Sequence, residues 1–268
     1  MNLLTLNCHS WQEDNQISKL QIIAKTIYDN DYDVVALQEV SQLISSKCVF
    51  NNIHEDNTGY LIKQFLEDIS GREYYLTWDI SHVGFGKYEE GVAILSKHPF
   101  VVEDSFIVSS SSTRDNWKTR KITYARIKVD SQLYDFYSVH LGWWDDNEDK
   151  FDSQIEKLLT YLDDETTCFL MGDFNNDAFL TGEGYDYCLS KNLYDTYALA
   201  QTRDNGVTIE GEIHGWEGRS ENKDHRIDWI LTNKKLNVLS SKCIFNGSNK
   251  SFVSDHYGVE IKIDDIDM

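Results

Sequence analysis

A carboxylate and a carboxamide stand two residues apart in Gly172-Asp173-Phe174-Asn175, directly behind the apolar run Cys168-Phe169-Leu170-Met171. Residues two apart on an extended segment project to the same side, so Asp173 and Asn175 are expected to face one ligand from a strand end. Two more acidic motifs sit beside apolar stretches, Arg226-Ile227-Asp228-Trp229 and Ser254-Asp255-His256. Asn7, Glu39 and His140 close apolar segments of their own. Carboxylates, carboxamides and imidazoles brought to strand ends suit a hard divalent metal and a phosphate ester. Mg²⁺ needs only one or two carboxylates and keeps several waters. Glu39 is the first choice for it, with Asn7 alongside, and Mn²⁺ could take the same donors. Asn175 and His140 are candidates to hold charge that develops on a phosphoryl group. An attacking water needs a base, for which His256 is the candidate and Asp228 its orienting partner.

Each residue alone has an ordinary explanation. Asp173 and Asn175 could cap a turn, Asp228 could guard a sheet edge, and His140 could be a hydrogen-bonded core histidine. The argument rests on their coming together.

The elements that must position these groups are readable from periodicity. Leu3–Leu6 and the continuous apolar run within Asp33–Gln38 predict strands, the second covered on both faces. Leu20, Ile23, Ala24 and Ile27 share one face of a helix over Ile17–Tyr28. Further helices are expected over Gly59–Ile69 and Phe151–Leu162. Strands are expected over Tyr74–Ile80, Gly91–Leu95, Phe100–Val108, Thr119–Val129, Leu133–His140, Cys168–Met171, Ile227–Leu231, Val238–Phe245 and Gly258–Ile263. Mixed strands with helices outside predict an α/β (α+β) fold of two packed sheets flanked by helices. The segments Ser81–Glu90, Ser109–Lys118, Gly142–Asp149 and Asp204–Asp224 are expected as loops that carry function. One proline, at Pro99, and no Gly/Ser-rich linker point to one domain over 1–268.

Composition narrows the partners. With 45 acidic against 25 basic residues the formal charge is −20, which disfavours a nucleic-acid partner. The five cysteines are scattered without a CxxC spacing, which argues against a zinc site or a disulfide framework and for a reducing cytoplasm. The first residues read as a strand and not as a signal peptide, and no window reaches the apolar length of a membrane span.

The ordered set Asn7, Leu37-Gln38-Glu39-Val40, Gly91-Val92-Ala93-Ile94-Leu95-Ser96, Ser138-Val139-His140-Leu141, Gly172-Asp173-Phe174-Asn175, Arg226-Ile227-Asp228-Trp229 and Ser254-Asp255-His256 resembles the endonuclease/exonuclease/phosphatase superfamily, to which DNase I belongs. The resemblance spans the chain. It implies a DNase I-like four-layer α/β/β/α sandwich with its site at one mouth of the two sheets. It implies Mg²⁺ at Glu39 and Asn7 with Asp255 close by, Asp173 positioning water or the leaving group, and Asn175 and His140 on the phosphate. It pairs His256 with Asp228 and makes Glu90 the acidic partner of His140. Leu6-Asn7-Cys8-His9-Ser10-Trp11, Trp117-Lys118-Thr119-Arg120-Lys121 and His140-Leu141-Gly142-Trp143-Trp144 are similar to a bacterial branch that includes maltose 6'-phosphate phosphatases.

The substrate is argued from aromatic and cationic residues. Trp117, Lys118, Arg120 and Lys121 lie together, Trp143 and Trp144 follow His140, and His214-Gly215-Trp216 precedes Asp228. Rings beside a phosphate site, interleaved with Asp and Asn, suit a phosphorylated sugar. Trp117, Lys118, Arg120, Trp143, Trp144 and Trp216 are therefore the expected substrate contacts. The competing explanations are buried loop anchors for the rings and a solvated strand face for the cations. The expected activity is a Mg²⁺-dependent phosphomonoesterase on a sugar phosphate, best maltose 6'-phosphate. The alternatives are a phosphodiesterase, nuclease or sphingomyelinase-like, and a non-catalytic module on the same scaffold.

Overall fold

The computed structural model describes residues 1–211, 216 and 224–264. The expectations for His214 and Gly215 lie outside the described residues.

Two sheets carry the chain. Number the main strands β1 (Asn2–Asn7), β2 (Val34–Leu43), β3 (Tyr75–Gly84), β4 (Tyr88–Ser96), β5 (Phe100–Ile107), β6 (Lys121–Val129), β7 (Gln132–His140), β8 (Thr167–Asp173), β9 (Asp228–Thr232), β10 (Val238–Ile244) and β11 (Gly258–Ile263). The first sheet runs β10-β11-β1-β2-β4-β3, with the short strand Thr202–Arg203 beyond β10. The second runs β9-β8-β7-β6-β5, with Tyr194–Asp195 beyond β9. Helices α1 (Gln16–Asp29) and α2 (Thr58–Ser70) lie over the first sheet, and α3 (Phe151–Leu159) and α4 (Gly184–Ser190) over the second. The expected four layers are therefore present. Among the described residues no helix is long and apolar enough to cross a membrane.

Alternation along each strand builds the layers. On β1, Leu4 and Leu6 face α1 and α2 while Leu3 joins the layer between the sheets. On β8, Cys168 and Leu170 face α3, while Phe169 and Met171 point between the sheets. Burying both faces explains the near-continuous apolar runs.

The sheets are stitched near one end by a polar relay. Thr5 Oγ1 donates to Gln38 Oε1 at 3.2 Å, Gln38 Nε2 donates to Ser138 Oγ at 3.0 Å, and Ser138 Oγ donates to the Leu37 carbonyl at 3.0 Å. All three side chains are fully buried, so the mutual hydrogen bonds remove the cost of sealing them inside.

Element bounds differ from expectation in one functional place. Ser81–Glu90 is not a long loop: β3 and β4 continue through it as a hairpin that turns at residues 85–87. Its polar stretch lacks the alternation that would reveal a strand. The helix α4 and the short strands also escape the sequence reading, being too short to set a period.

Candidate active site

The site is where the inward-facing rows of four strands run out of hydrophobic residues. Counting by twos, β1 passes Leu3, Thr5 and Asn7, and β7 passes Phe136, Ser138 and His140. The strand β8 passes Phe169, Met171 and Asp173, and Ile230 on β9 is preceded by Asp228. Register completes the convergence: Asp173 lies opposite His140 on one side and Asp228 on the other. Period two thus delivers Asn7, His140, Asp173 and Asp228 to one mouth.

Glu39 reaches the same place by an irregularity. The β2–β4 register shifts between Leu37 and Val40, and Glu39 takes φ +49°. Such a bulge re-aims a side chain, at a backbone cost that functional sites carry. Asn7 Nδ2 then donates to Glu39 Oε1 at 2.9 Å and to Asp173 Oδ2 at 3.0 Å. His140 Nε2 stands 3.6 Å from Asp173 Oδ2 and 3.9 Å from Glu39 Oε1. Glu39, His140 and Asp173 each present a ligand atom, all within 4.8 Å of one another. Two carboxylates converging on one amide donor mark a place that favours positive charge. The oxygen-rich donors Glu39, Asp173 and Asn7 fit a hard divalent cation.

His256 is held on the other side of Asp173. Its Nδ1 meets Asp228 Oδ2 at 3.0 Å, and its Nε2 lies 3.9 Å from Asp173 Oδ2. Burial opposes charge on this ring, but Asp228, Asp173 and Asp255 outweigh it and raise its pKa well above the usual histidine range. His140 moves the other way: burial and the nearby Arg120, His82 and His256 keep it neutral. Asp173 is pushed up to about 7, chiefly by burial and by Asp228. One charged imidazole, one neutral imidazole and a carboxyl that titrates near neutrality face a common space.

Asn175 does not project alongside Asp173 as an extended pair. The strand ends at Asp173, Asn175 takes φ +50°, and its backbone N–H donates to Asp173 Oδ1 at 2.8 Å. Its Nδ2 donates to the Leu141 carbonyl at 3.0 Å, which leaves its second hydrogen for a ligand, and its Oδ1 accepts from Trp216 Nε1 at 3.2 Å. The turn explanation and the functional one are both met in this residue.

Glu90 has a different partner from the one expected, and Asp255 and Lys118 have close neighbours of their own. Glu90 pairs with His82, not His140: His82 Nε2 lies 3.5 Å from Glu90 Oε1, because the hairpin sets these residues directly opposite each other. Burial, with Glu39 adding, pushes Glu90 up to about 8, and burial with Arg120 brings His82 down to about 4. Asp255 groups with His9 and Glu13, their ligand atoms within 4.8 Å of one another. Its Oδ1 lies 3.5 Å from His9 Nδ1. Lys118 is a surface cation, held by Asp146 at 2.8 Å and Glu148 at 2.7 Å, and Lys121 is paired to Asp79 at 2.7 Å.

Arg120, in contrast, is buried, feels Glu90, Asp173 and Glu39, and lies 5.8 Å from the centre of the Trp143 ring. Its Nε has no hydrogen-bond partner among the described residues. Trp216 is buried on Ile209, Ile227 and Trp143, and Trp144 packs at 6.2 Å from Phe151 and 5.7 Å from Tyr187. Trp117 is half-exposed with its edge 6.0 Å from Trp143. The tryptophans are thus anchors and site neighbours at once. His9, Glu13 and His82 were not expected; the spacing of His9 two residues after Asn7 was the one available signal.

This fold and site define a class of phosphoester-handling sandwiches. The profile of the Endonuclease/Exonuclease/phosphatase family matches residues 4–256, and the chain belongs to that family. Its members are mostly hydrolases of phosphoester bonds and typically depend on a divalent metal. Among solved structures, an endonuclease/exonuclease/phosphatase family protein from Leptotrichia buccalis C-1013-b is 39% identical, with TM-score 0.92 over 98% of this chain and 99% of that one. A mannosyl-6-phosphatase from Bacteroides thetaiotaomicron VPI-5482 is similar in fold at 18% identity, with TM-score 0.67 over 98% of this chain and 99% of that one. Truncated TDP2 from Caenorhabditis elegans shares the fold at 14% identity, with TM-score 0.61 over 97% of this chain and 95% of that one. Among curated proteins, none matches this chain.

Proposed function

We propose that the protein is a metal-dependent phosphomonoesterase acting on a phosphorylated sugar, with maltose 6'-phosphate the best single substrate. The observation that carries this reading is the meeting of Asn7, Glu39, His140, Asp173, Asp228 and His256 at one mouth of the two sheets. Glu39 and Asn7 would hold Mg²⁺, which when bound supplies a Lewis acid for the phosphoryl oxygens. Mn²⁺ would serve in its place.

Asp173 takes the proton of the attacking water, a role suited to a carboxyl that titrates at about 7. The new bond forms from water oxygen to phosphorus, and the bond from phosphorus to the sugar oxygen breaks. Asp228 favours the protonated form of His256, so His256 is read as the acid partner and Asp173 as the base. As an imidazolium fixed by Asp228 it holds a phosphoryl oxygen and can return a proton to the departing sugar oxygen. His140, kept neutral, and Asn175 donate to the remaining oxygens. The acidic charge of −20 weighs against a nuclease. The Bacteroides neighbour, a mannosyl-6-phosphatase, agrees in chemical class. The five unpaired cysteines suit a cytoplasmic enzyme.

The test is phosphate release from a panel of sugar 6-phosphates, beside plasmid DNA and sphingomyelin, each with Mg²⁺ and with EDTA. Metal-dependent release from a disaccharide phosphate is the expected result. Cleavage of DNA or lipid with no release from any sugar overturns the substrate assignment.

A further inference from the structure

Beside Asn175 the mouth opens into a cleft lined by Trp143, Trp144, Asp145, Asn176, Glu183 and Trp216. It holds about 360 Å³ of space, part of it open to solvent. The cleft adjoins the phosphate end through one shared group, since Trp216 Nε1 donates to Asn175 Oδ1. Its walls come from residues after β7, from Asn176 and Glu183 after β8, and from Trp216, none of which the catalytic reading uses.

Two features set the chemistry of an occupant. The first is the set of rings. Trp144 is fixed against Phe151 and Tyr187, and Trp143 against Trp216 and its apolar neighbours, yet both remain half-buried, so each keeps surface for a ligand. The second is a pair of acids. Glu183 stands at the first position before α4 but does not cap it, and its carboxylate has no hydrogen-bond partner among the described residues. Burial, with Asp145 and Asp177, raises its pKa. Asn176 is 2% exposed, lines the same cleft, and keeps its Oδ1 without a partner among the described residues.

Two acceptors without donors among the described residues, the Glu183 carboxylate and Asn176 Oδ1, set beside indole faces and a second acid, Asp145, call for a ligand rich in hydroxyl groups and free of negative charge. A second phosphate would meet two carboxylates of its own sign. An acyl chain would strip water from the acids and give no hydrogen bond in return. A pyranose answers both features: its C–H faces lie on rings and its hydroxyls donate to carboxylates.

We propose that this cleft seats the sugar leaving group as a neutral pyranose, stacked on Trp143 and Trp144 and hydrogen-bonded through its hydroxyls to Asp145 and Glu183. The inference rests on the phosphomonoesterase reading and adds to it the residues that select the sugar. Hydrogen bonds to charged acceptors are the stronger kind, so removing the charge has a measurable consequence.

Two measurements test it. In the first, the intact protein without metal is titrated with methyl α-glucopyranoside while tryptophan fluorescence is followed. A saturable change, weakened by about tenfold or more in the Asp145→Asn/Glu183→Gln double variant, is expected. No saturable change overturns the cleft assignment. In the second, kcat/KM is compared for maltose 6'-phosphate and 4-nitrophenyl phosphate. The ratio of the two should fall about tenfold or more in Glu183→Gln, through KM for the sugar. An unchanged ratio in a variant that still hydrolyses the aryl ester overturns the inference and leaves the monoesterase reading standing. Failure of the unmodified protein to hydrolyse either ester overturns that reading instead, and the glucoside titration then judges the cleft separately.

Discussion

At the residue scale, the site works by splitting similar groups into different protonation states. His256 and His140 flank one carboxylate, but Asp228 fixes charge on the first while Arg120 and burial withhold it from the second. Replacing Asp173 by Asn keeps the shape of the group but removes the proposed base, and leaves one acceptor for the two donors, Asn7 Nδ2 and the Asn175 N–H, that Asp173 serves. His256→Gln removes the cation. Each should lower kcat by about 10²–10⁴-fold. Chemical denaturation should show a loss of only about 1 kcal/mol in Asp173→Asn, because one buried donor loses its acceptor while a charge that burial penalises is removed. A folded Asp173→Asn protein with near-normal turnover would sink the assignment. Asp173 was legible because it ends an inward-facing row and the count by twos survives in the sequence, and His256 because Ser254-Asp255-His256 stands beside an apolar strand. The partner of Glu90 was not legible. It depends on which residue lies opposite it across a hairpin, and that register includes a shift between Ile80 and His82. The surface fate of Lys118 was equally hidden, since its acids lie 28 and 30 residues away.

At the scale of elements, the site depends on strands held closer or bent more than regular sheet. Gly172 is the sharpest case. A Cβ there would lie 1.9 Å from the Val139 carbonyl oxygen and 3.0 Å from Gln38 Nε2. The clash is with backbone of the neighbouring parallel strand, which cannot step aside without moving His140. Gly172→Ala should therefore cost about 3 kcal/mol in urea unfolding. A loss below about 1 kcal/mol would show that β7 and β8 can separate freely. The start of β2 offers an electrostatic counterpart. Asp33 Oδ2 accepts from the Asn2 N–H at 2.7 Å, and Oδ1 meets His98 at 3.0 Å and Lys97 at 3.0 Å. Burial alone would raise this carboxyl, but these partners prevail and hold it at about 2, below the ordinary 3.8. A carboxyl lowered on folding stabilises the fold above its unfolded pKa and loses that contribution as pH falls towards 2. Asp33→Asn should cost about 1–2 kcal/mol at pH 7, with the gap closing as pH falls from about 4 to about 2. An equal gap at pH 2 and pH 7 would assign the loss to packing. Long strands and helices were legible because each repeats its period. The bulge at Glu39 and the hairpin of β3 and β4 were not, because each is decided by pairing with a distant strand.

At the scale of the whole molecule, the formal charge of −20 is a field that every anionic substrate must cross. A sugar phosphate brings two negative charges to a mouth that already gathers Glu39, Asp173, Asp228 and Asp255. Among the described residues, Arg120 and His256 are cations placed there. Attraction at contact comes from these groups, while the approach from solution is against the overall field. Salt acts on the second much more than on the first, because exposed charges are screened over a Debye length of about 30 Å at 0.01 M and about 8 Å at 0.15 M. With the divalent metal kept saturating, kcat/KM for a sugar phosphate should therefore rise, by about two- to fivefold, as NaCl goes from about 10 to about 150 mM. A protein that captures nucleic acid through basic residues behaves oppositely, losing affinity steeply over such a range. The sign of the salt response thus separates the two classes of substrate by physics independent of any product assay. A kcat/KM that falls with added NaCl would mean that a local positive field governs the mouth, and the argument from net charge against a polyanionic substrate would go with it.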